Sequence, residues 1–405
     1  MTNAPSRARQ FLEAGDIALS TVRPYLRRTV HLQNKDADVA STAFCVLRAK
    51  PDMVGRFLFH WVTSDQFVSR LLPLQRGSSP PAVLDVDVRA QPVPVPPRDL
   101  QAKIATRIDA LFAEVAAGEE ALAAAKAALG QWRQALLKAA VTGELTADWR
   151  AANPPAETGE ALLARILAER RARWHADPRN KGKRYREPVS PDTTNLPTLP
   201  DGWTWASLYQ LIDGIDAGQN LKCVERPPGF GEVGIVKVSA VTWWHFNPMA
   251  SKTLPASAAV DRRALISVGD LLISRANTLE LVGAPAIVTD LPHTLVLSDK
   301  VLRLNCLREF RTWLFFVLRS SIGRRQIESQ STGAQLSMRN ISQDALKSIA
   351  IPIGPKREMT ACLDLLNDTL ATADKTVRDQ RELAQKSSSL RQSILAAAFR
   401  GELAA

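Results

Sequence analysis

Cysteine and histidine are scarce in this chain of 405 residues, and neither is clustered. Cys45, Cys223, Cys306 and Cys362 form no Cys-x-x-Cys pair, and His31, His60, His175, His245 and His293 never fall at ligand spacing. A zinc knuckle and a disulfide framework are thereby excluded, and reduced thiols with no metal site are expected. Long apolar runs are missing too. None approaches the roughly 18 residues a membrane helix needs, and residues 1–10 are polar, without the apolar block of a signal peptide. A cytoplasmic protein that makes no membrane contact is expected. The chain has no Gly-x-x-x-x-Gly-Lys-Ser/Thr loop, which excludes the usual ATP cradle. Asn153-Pro154-Pro155 is followed by Ala156, not by an aromatic ring able to stack on a flipped base, and no glycine-rich cofactor loop precedes it. Pro51-Asp52 lacks the acidic-x-Lys element of a nuclease site. No catalytic residue is assigned.

What is abundant is positive charge. Lys and Arg number 52 against 41 Asp and Glu, a net +11, in a chain that is otherwise globular in composition, with 45% hydrophobic and 23% charged residues. This balance suits a polyanionic partner, although a merely soluble basic protein has the same arithmetic. The length calls for two or more domains.

Self-comparison supplies the organisation. Residues 133–145 read RQALLKAAVTGEL and residues 391–403 read RQSILAAAFRGEL, matching at eight of thirteen positions with an offset of 258 residues, as from Gly143 to Gly401. At the same offset Val93-Pro94-Val95-Pro96-Pro97 aligns with Ile351-Pro352-Ile353-Gly354-Pro355. Gly15-Asp16-Ile17-Ala18-Leu19-Ser20 aligns with Gly269-Asp270-Leu271-Leu272-Ile273-Ser274 at 254, and Gly77 with Gly333 at 256, a drift that loop insertions produce. So long a period means duplicated domains rather than a solenoid. Each copy reads as a mixed globular unit followed by a long helix.

The first helix is expected over about residues 98–140. Ile104, Ile108, Leu111, Val115, Gly118, Leu122, Ala125, Leu129, Trp132 and Leu136 alternate spacings of four and three, a seam for another helix. A rod of such length needs a partner, and the second helix, about residues 356–399, offers a weaker seam. There Cys362, Leu366, Ala373, Leu383, Leu390 and Ile394 keep register while Thr369, Thr376, Gln380 and Ser387 interrupt it. Between the copies, residues 165–187 carry nine basic against three acidic side chains. That stretch fits phosphate contact or a solvated linker equally, and the proline-rich residues 188–200 favour the linker.

The ordered set Leu199-Pro200-Asp201-Gly202-Trp203-Thr204-Trp205, Gly269-Asp270-Leu271-Leu272-Ile273-Ser274-Arg275, Thr332-Gly333-Ala334-Gln335, Arg339-Asn340-Ile341-Ser342 and the closing Ala397-Ala398-Phe399-Arg400-Gly401-Glu402-Leu403 resembles the specificity subunit of type I restriction-modification systems. The resemblance implies an α+β chain with two target-recognition domains, each followed by a conserved helix, the helices packed as an antiparallel coiled-coil spacer. Its boundaries on this sequence are a first recognition domain at 1–97, a spacer helix at 98–147, a linker at 148–198, a second recognition domain at 199–355 and a second spacer helix at 356–405. It further implies a non-catalytic subunit that reads double-stranded DNA. Methyltransferase subunits holding S-adenosylmethionine, and a restriction subunit using ATP and magnesium, would then be its partners.

One departure is plain. Counting back 254 residues from Trp203 passes Met1 by about 50 residues, so the first recognition domain lacks the opening that the second possesses. A misassigned start, a decayed gene product and a one-sided reader are all compatible with this. The rival function is accordingly a scaffold that binds methyltransferase without full DNA specificity.

Base edges call for Arg, Asn or Gln presented from loops, and phosphates for Lys or Arg. The base-edge candidates are Arg275, Asn277, Gln335, Arg339 and Asn340, with Lys222, Lys252 and Lys300 as phosphate candidates and Arg23 as the counterpart in the first copy. Each has a structural alternative, such as a salt bridge for Arg275 or a turn cap for Asn277 and Asn340. Trp243-Trp244 fits either a wedge beside nucleic acid or one core ring and one surface ring.

Overall fold

The computed structural model describes the backbone of residues 8–34, 39–242 and 244–403; the side chains of residues 8–9, 179, 377–386 and 388 lie outside the described set. The chain mixes helix and strand throughout and divides into two compact units, one of Met1–Ala127 with Lys375–Ala405, the other of Ala128–Asp374.

In the first unit a three-stranded antiparallel sheet places Ile17–Ser20 between Thr29–His31 and Phe44–Leu47. All four residues of the central strand are buried, which is what a continuous apolar run in a covered strand requires. Gly15 enters it at φ +89°, a left-handed turn that favours glycine. The Asp16 carboxylate behind it accepts from Glu13 N–H at 2.8 Å and from two Arg48 nitrogens at 2.8 Å. The Arg48 hydrogen bond holds Asp16 below the usual carboxylate range. Helices Gly55–Val62 and Asp65–Leu71 cover one face with Leu58, Trp61, Val62, Phe67 and Leu71. Ser64 caps the second of these, accepting from Phe67 N–H, a bond worth about 1 kcal/mol.

This small domain is riveted to the start of the first long helix, Arg98–Val141. Gln101, fully buried, accepts from Val54 N–H and donates to Asp52 O and Pro96 O. Asp109 takes Arg56 at 2.6 Å and His60 at 2.9 Å. On the same helix Ile104, Ala105 and Ile108 bury against Leu395 and Ala398 of the second long helix, Lys356–Phe399.

The second unit is larger. Its four-stranded antiparallel sheet runs in the order Pro285–Ile287, Leu271–Ser274, Val301–Cys306, Ile212–Ala217. A second sheet joins Thr294–Val296, Val233–Val236 and Ser251–Thr253, and Thr204–Ser207 pairs with Ala350–Ile353. Helices Arg308–Arg319 and Ser321–Gln330 pack over the core through Trp313, Leu314, Val317 and Ile327. The helix Gly159–Ala176 follows the first long helix and buries Leu162 and Ile166 in the same core. Here Leu137, Ala140 and Val141, at the end of the first long helix, pack with Met359, Cys362 and Leu366 at the start of the second.

The two helix junctions repeat the same chemistry at the 258-residue offset. Leu137 and Leu395, Ala140 and Ala398, Ile104 and Cys362, and Ile108 and Leu366 are buried pairwise, each at 4% exposure or less. Arg133 reaches Asp374 at 2.5 Å in the second unit, and its counterpart Arg391 reaches Glu119 at 2.7 Å in the first. Buried Glu358 closes the second junction, accepting from Thr146 Oγ1, Arg150 Nη1 and Trp203 Nε1.

The observed seam departs from the heptad reading toward the helix middles. Trp132 is 41% and Leu390 48% exposed, while Leu111, Val115, Leu122, Leu129, Leu136 and Ile394 are half-buried. Gly118 and Ala125 are exposed, so backbone breadth rather than side-chain interlock occupies that stretch. In the first unit the helices there leave a groove of about 710 Å³, with Leu111, Val115 and Leu122 facing Ser387, Leu390 and Ser393. Serine on one wall cannot interdigitate with leucine on the other, and the apolar contact shifts to Leu395 and Ala398. Ala373 and Leu366 are buried in the second unit, and the Leu383 side chain lies outside the described residues.

Candidate nucleic-acid interface

Four of the proposed base-edge residues are gathered by one small sheet of the second unit. Ala276–Asn277 pairs with Met338–Asn340, which pairs with Thr332–Gln335. The hairpin stands out from the core: Gln335, Leu336, Ser337, Met338 and Asn340 are all exposed, Leu336 and Met338 at 68%. Gly333 begins it at φ +141°, with Met338 O only 2.3 Å from where a Cβ would sit, so a side chain there would break the hairpin.

The members are unequal. Arg339 is spent on the hairpin itself, donating to Ser331 Oγ, Ser331 O and Gly333 O. Asn277 is likewise structural: its Oδ1 accepts from Thr278 N–H at 2.9 Å and its Nδ2 donates to Thr242 Oγ1 at 3.2 Å. Gln335 and Asn340 keep their amide groups outward, Gln335 accepting only a long 3.4 Å bond from Ser337. Arg275, half-buried, uses its backbone to join Lys300 O and Ile341 N–H, and its guanidinium has no hydrogen bond or ion pair among the described residues.

Through Arg275 and Lys300 the sheet adjoins a cleft of about 490 Å³. Lys252, Lys300 and Lys237 line it beside Gln219, Asn220 and Ser298. Each lysine has a local carboxylate: Glu225 lies 2.5 Å from Lys252 and 3.2 Å from Lys237, and Asp299 lies 2.9 Å from Lys300. Glu225 is consequently held below its ordinary range by both lysines. Lys222 is exposed, lies outside the cleft lining and has no ion pair among the described residues. Arg23 is in the first unit, exposed, at φ 52° where the chain turns into Pro24–Leu26, whereas the other candidates belong to the second unit.

Sequence reading missed Lys237, and it missed a cationic stack. Trp244 adopts φ 64°, rare for a bulky residue. Arg319 and Arg324 lie over its ring at 5.3 and 5.7 Å. Burial, with Arg133 nearby, pulls the Arg319 pKa down to about 10. The Arg at both positions is visible in sequence, but its convergence on Trp244 depends on two helices and a loop distant in the chain. Trp243 lies outside the described residues. Part of the basic linker is engaged locally: Arg170 lies over the Tyr209 ring, and at the surface Arg171 pairs with Glu187 and Arg173 with Asp213. Lys181, Lys183, Arg184 and Arg186 remain exposed and unpaired among the described residues.

No group of three or more metal-ligating side chains is assembled among the described residues, and no described helix is long and apolar enough to cross a membrane. No protein-family profile matches the chain. It is similar to the EcoKI type I restriction enzyme specificity subunit of Escherichia coli K12, 25% identical over 366 residues, covering 90% of this chain and 69% of that one. It is 26% identical over 253 residues to the EcoEI specificity subunit of Escherichia coli, covering 62% of this chain and 42% of the relative, so it spans less than half that protein's length. Among solved structures, a chain from work on complex assembly and conformational transition of the type I R-M system superposes with TM-score 0.68 at 23% identity, over 98% of this chain and 85% of that one. The HsdS subunit from Thermoanaerobacter tengcongensis gives TM-score 0.54 at 23% identity, over 99% and 84%. These likenesses show a shared α+β fold.

Proposed function

We propose that this chain, a relative of the type I restriction enzyme specificity subunits, reads double-stranded DNA sequence for a type I restriction-modification complex and has no catalysis of its own. Residues 98–147 and 356–405 are its two spacer helices, paired antiparallel, and residues 199–355 its complete recognition domain. Residues 1–97 belong to its first recognition domain, and residues 148–198 are the linker between the two copies. Methyltransferase subunits carrying S-adenosylmethionine, and a restriction subunit using ATP and magnesium, are its partners.

The observation that carries this reading is the exposed polar hairpin beside the lysine-lined cleft of the second unit. Gln335 and Asn340 have free amide edges suited to adenine or guanine, and Arg275 has an unspent guanidinium suited to guanine. The three cleft lysines carry carboxylates that a phosphate would displace them from, a contact that weakens as salt rises. Arg339 and Asn277 act as positioning residues, since their hydrogen bonds fix the hairpin rather than face outward.

The test is duplex binding by the chain assembled with methyltransferase, against a library of targets and a salt series. Gln335→Ala and Asn340→Ala are each expected to relax preference at one position, losing about 1–3 kcal/mol of discrimination. Lys300→Ala is expected to weaken all sequences alike and flatten the salt slope by about one. Binding without sequence preference would favour the scaffold reading.

A further inference from the structure

Where the strand Ile212–Ala217 ends, the chain continues as Gly218-Gln219-Asn220-Leu221-Lys222 and forms one wall of the lysine-lined cleft in the second unit. That loop has little freedom. Gly218 N–H donates to Ser298 O at 3.3 Å, and Gln219 makes a parallel bridge with Ser298. A Cβ on Gly218 would sit 1.7 Å from Leu297 O, so only glycine lets the two backbones approach this closely. At the far end Val224 exchanges backbone hydrogen bonds with Thr253 at 2.9 and 3.1 Å.

A backbone pinned at both ends presents two amide side chains that do nothing for the fold. Gln219 and Asn220 are exposed and line the cleft, and neither amide has a hydrogen bond among the described residues. Amides that serve this unit's fold are spent. Gln326 donates to Ala350 O at 3.0 Å and accepts from Ala350 N–H at 2.7 Å, and Asn247 accepts from Met249 N–H at 3.1 Å. The cleft supplies a second sign. Ser298 lines it at 8% exposure, and its buried hydroxyl has no partner among the described residues. An unpartnered buried hydroxyl is costly, and a polar ligand in the cleft would relieve it. The wall also runs on to the hairpin. Ser298 is two residues from Lys300, Lys300 O accepts from Arg275 N–H at 2.8 Å, and Ala276 pairs with Asn340. At about 4.8 Å between paired backbones and about 3.4 Å per residue along them, the path from Gln219 to Asn340 is at most about 25 Å. Both pairs of amides therefore fit along a single turn of duplex, about 34 Å.

We propose that Gln219 and Asn220 read adenine edges in the major groove, as a second set of specificity-determining residues beside Gln335 and Asn340. The amide oxygen accepts from adenine N6–H and the amide nitrogen donates to N7, the bidentate pattern that Asn and Gln complete with this base. The cleft lysines cannot supply it, because an ammonium carries donors only. Each is also paired with Glu225 or Asp299, so the unspent amides rather than the charge choose the base. This inference rests on the DNA-reading proposal and adds to it the residues and base class of a second contact.

The test uses the full chain assembled with methyltransferase and a randomised duplex library. Gln219→Ala and Asn220→Ala are each expected to relax preference for adenine at one position, by about fivefold to a hundredfold. Those positions should differ from the ones that Gln335→Ala and Asn340→Ala relax and lie within about one turn of them. Gln219→Glu, which removes the amide donor, should move preference at its position toward cytosine, because a carboxylate accepts from cytosine N4. Duplex carrying 7-deaza-adenine there lacks the N7 acceptor. It should bind the unsubstituted chain at least about fivefold more weakly and leave binding by the Gln219→Ala chain unchanged. Unchanged adenine preference in both loop variants, or weakening that is uniform across sequences, would overturn the inference. So would an equal loss with 7-deaza-adenine in the unsubstituted and Gln219→Ala chains. If Gln335→Ala and Asn340→Ala still relax their own positions in that event, the DNA-reading proposal stands without this one; if none of the four variants alters preference, both fall.

Discussion

Glu358 is the position where a single substitution should do most damage to the second helix junction. Its carboxylate is 1% exposed and accepts from Thr146 Oγ1 at 2.7 Å, Arg150 Nη1 at 2.7 Å and Trp203 Nε1 at 3.0 Å. Glu358→Ala strands two neutral donors and a guanidinium. Breaking a buried ion pair costs about 3–5 kcal/mol, and an orphaned neutral donor about 1–3. These costs overlap. Arg150 is 22% exposed and also donates to Gly143 O at 3.0 Å, so it can rehydrate, and about 3 kcal/mol in all is expected. Glu358→Gln keeps the shape and one acceptor oxygen and should lose about 1–2 kcal/mol. Urea unfolding with hydrogen exchange of residues 140–150 and 200–206 measures both. A Glu358→Ala loss under about 0.5 kcal/mol, or equal losses for the two variants, would refute the account, because the charge and its three bonds would then carry no weight.

Other outcomes follow from the same geometry. Burial pushes the His60 pKa from 6.5 down to about 4, so the unfolded chain takes up its proton first. Its contribution is full above pH 6.5 and fades as pH falls toward 4. The first unit should lose about 2–3 kcal/mol by pH 4.5, and His60→Gln should flatten that slope in thermal melts; equal stability at pH 7.5 and 4.5 would count against it. Gly354→Ala places a methyl 2.4 Å from the Trp203 ring and should cost about 1–3 kcal/mol, read as a lowered urea midpoint. Ile108→Asp, at a fully buried position, should unfold the first junction, whereas Leu122→Asp, beside the open groove, should be tolerated by the isolated chain; circular dichroism melts giving the reverse order would contradict the observed seam.

Legibility in the sequence tracked how local each signal was. The four-three spacing from Ile104 to Leu136 announces a helix, and the Gly15-Asp16 and Gly269-Asp270 repeats announce two equivalent strand entries, because both depend on neighbours a few residues away. Which heptad positions are covered was not legible. Trp132 and Leu390 fit the period yet are 41% and 48% exposed, because period alone does not say which positions the partner helix covers. Among the candidate contacts, types were readable and roles were not. Arg339 and Asn277 look like readers until their partners, Ser331, Gly333 and Thr242, are seen. Lys237 and the Arg319–Trp244–Arg324 stack arise from segments far apart in the chain, and no local pattern marks them.

Both long helices have 44 residues, and their buried positions fall at one constant offset. Inserting a single residue midway in either would turn everything beyond it by about 100° and advance it by about 1.5 Å, swinging Leu137 or Leu395 out of its socket. Seven residues restore the phase to within about 20°. Seven residues added to one helix alone would still shift its buried residues about 10.5 Å along the partner, so lineages of this protein should lengthen or shorten these helices only in whole heptads and in both together.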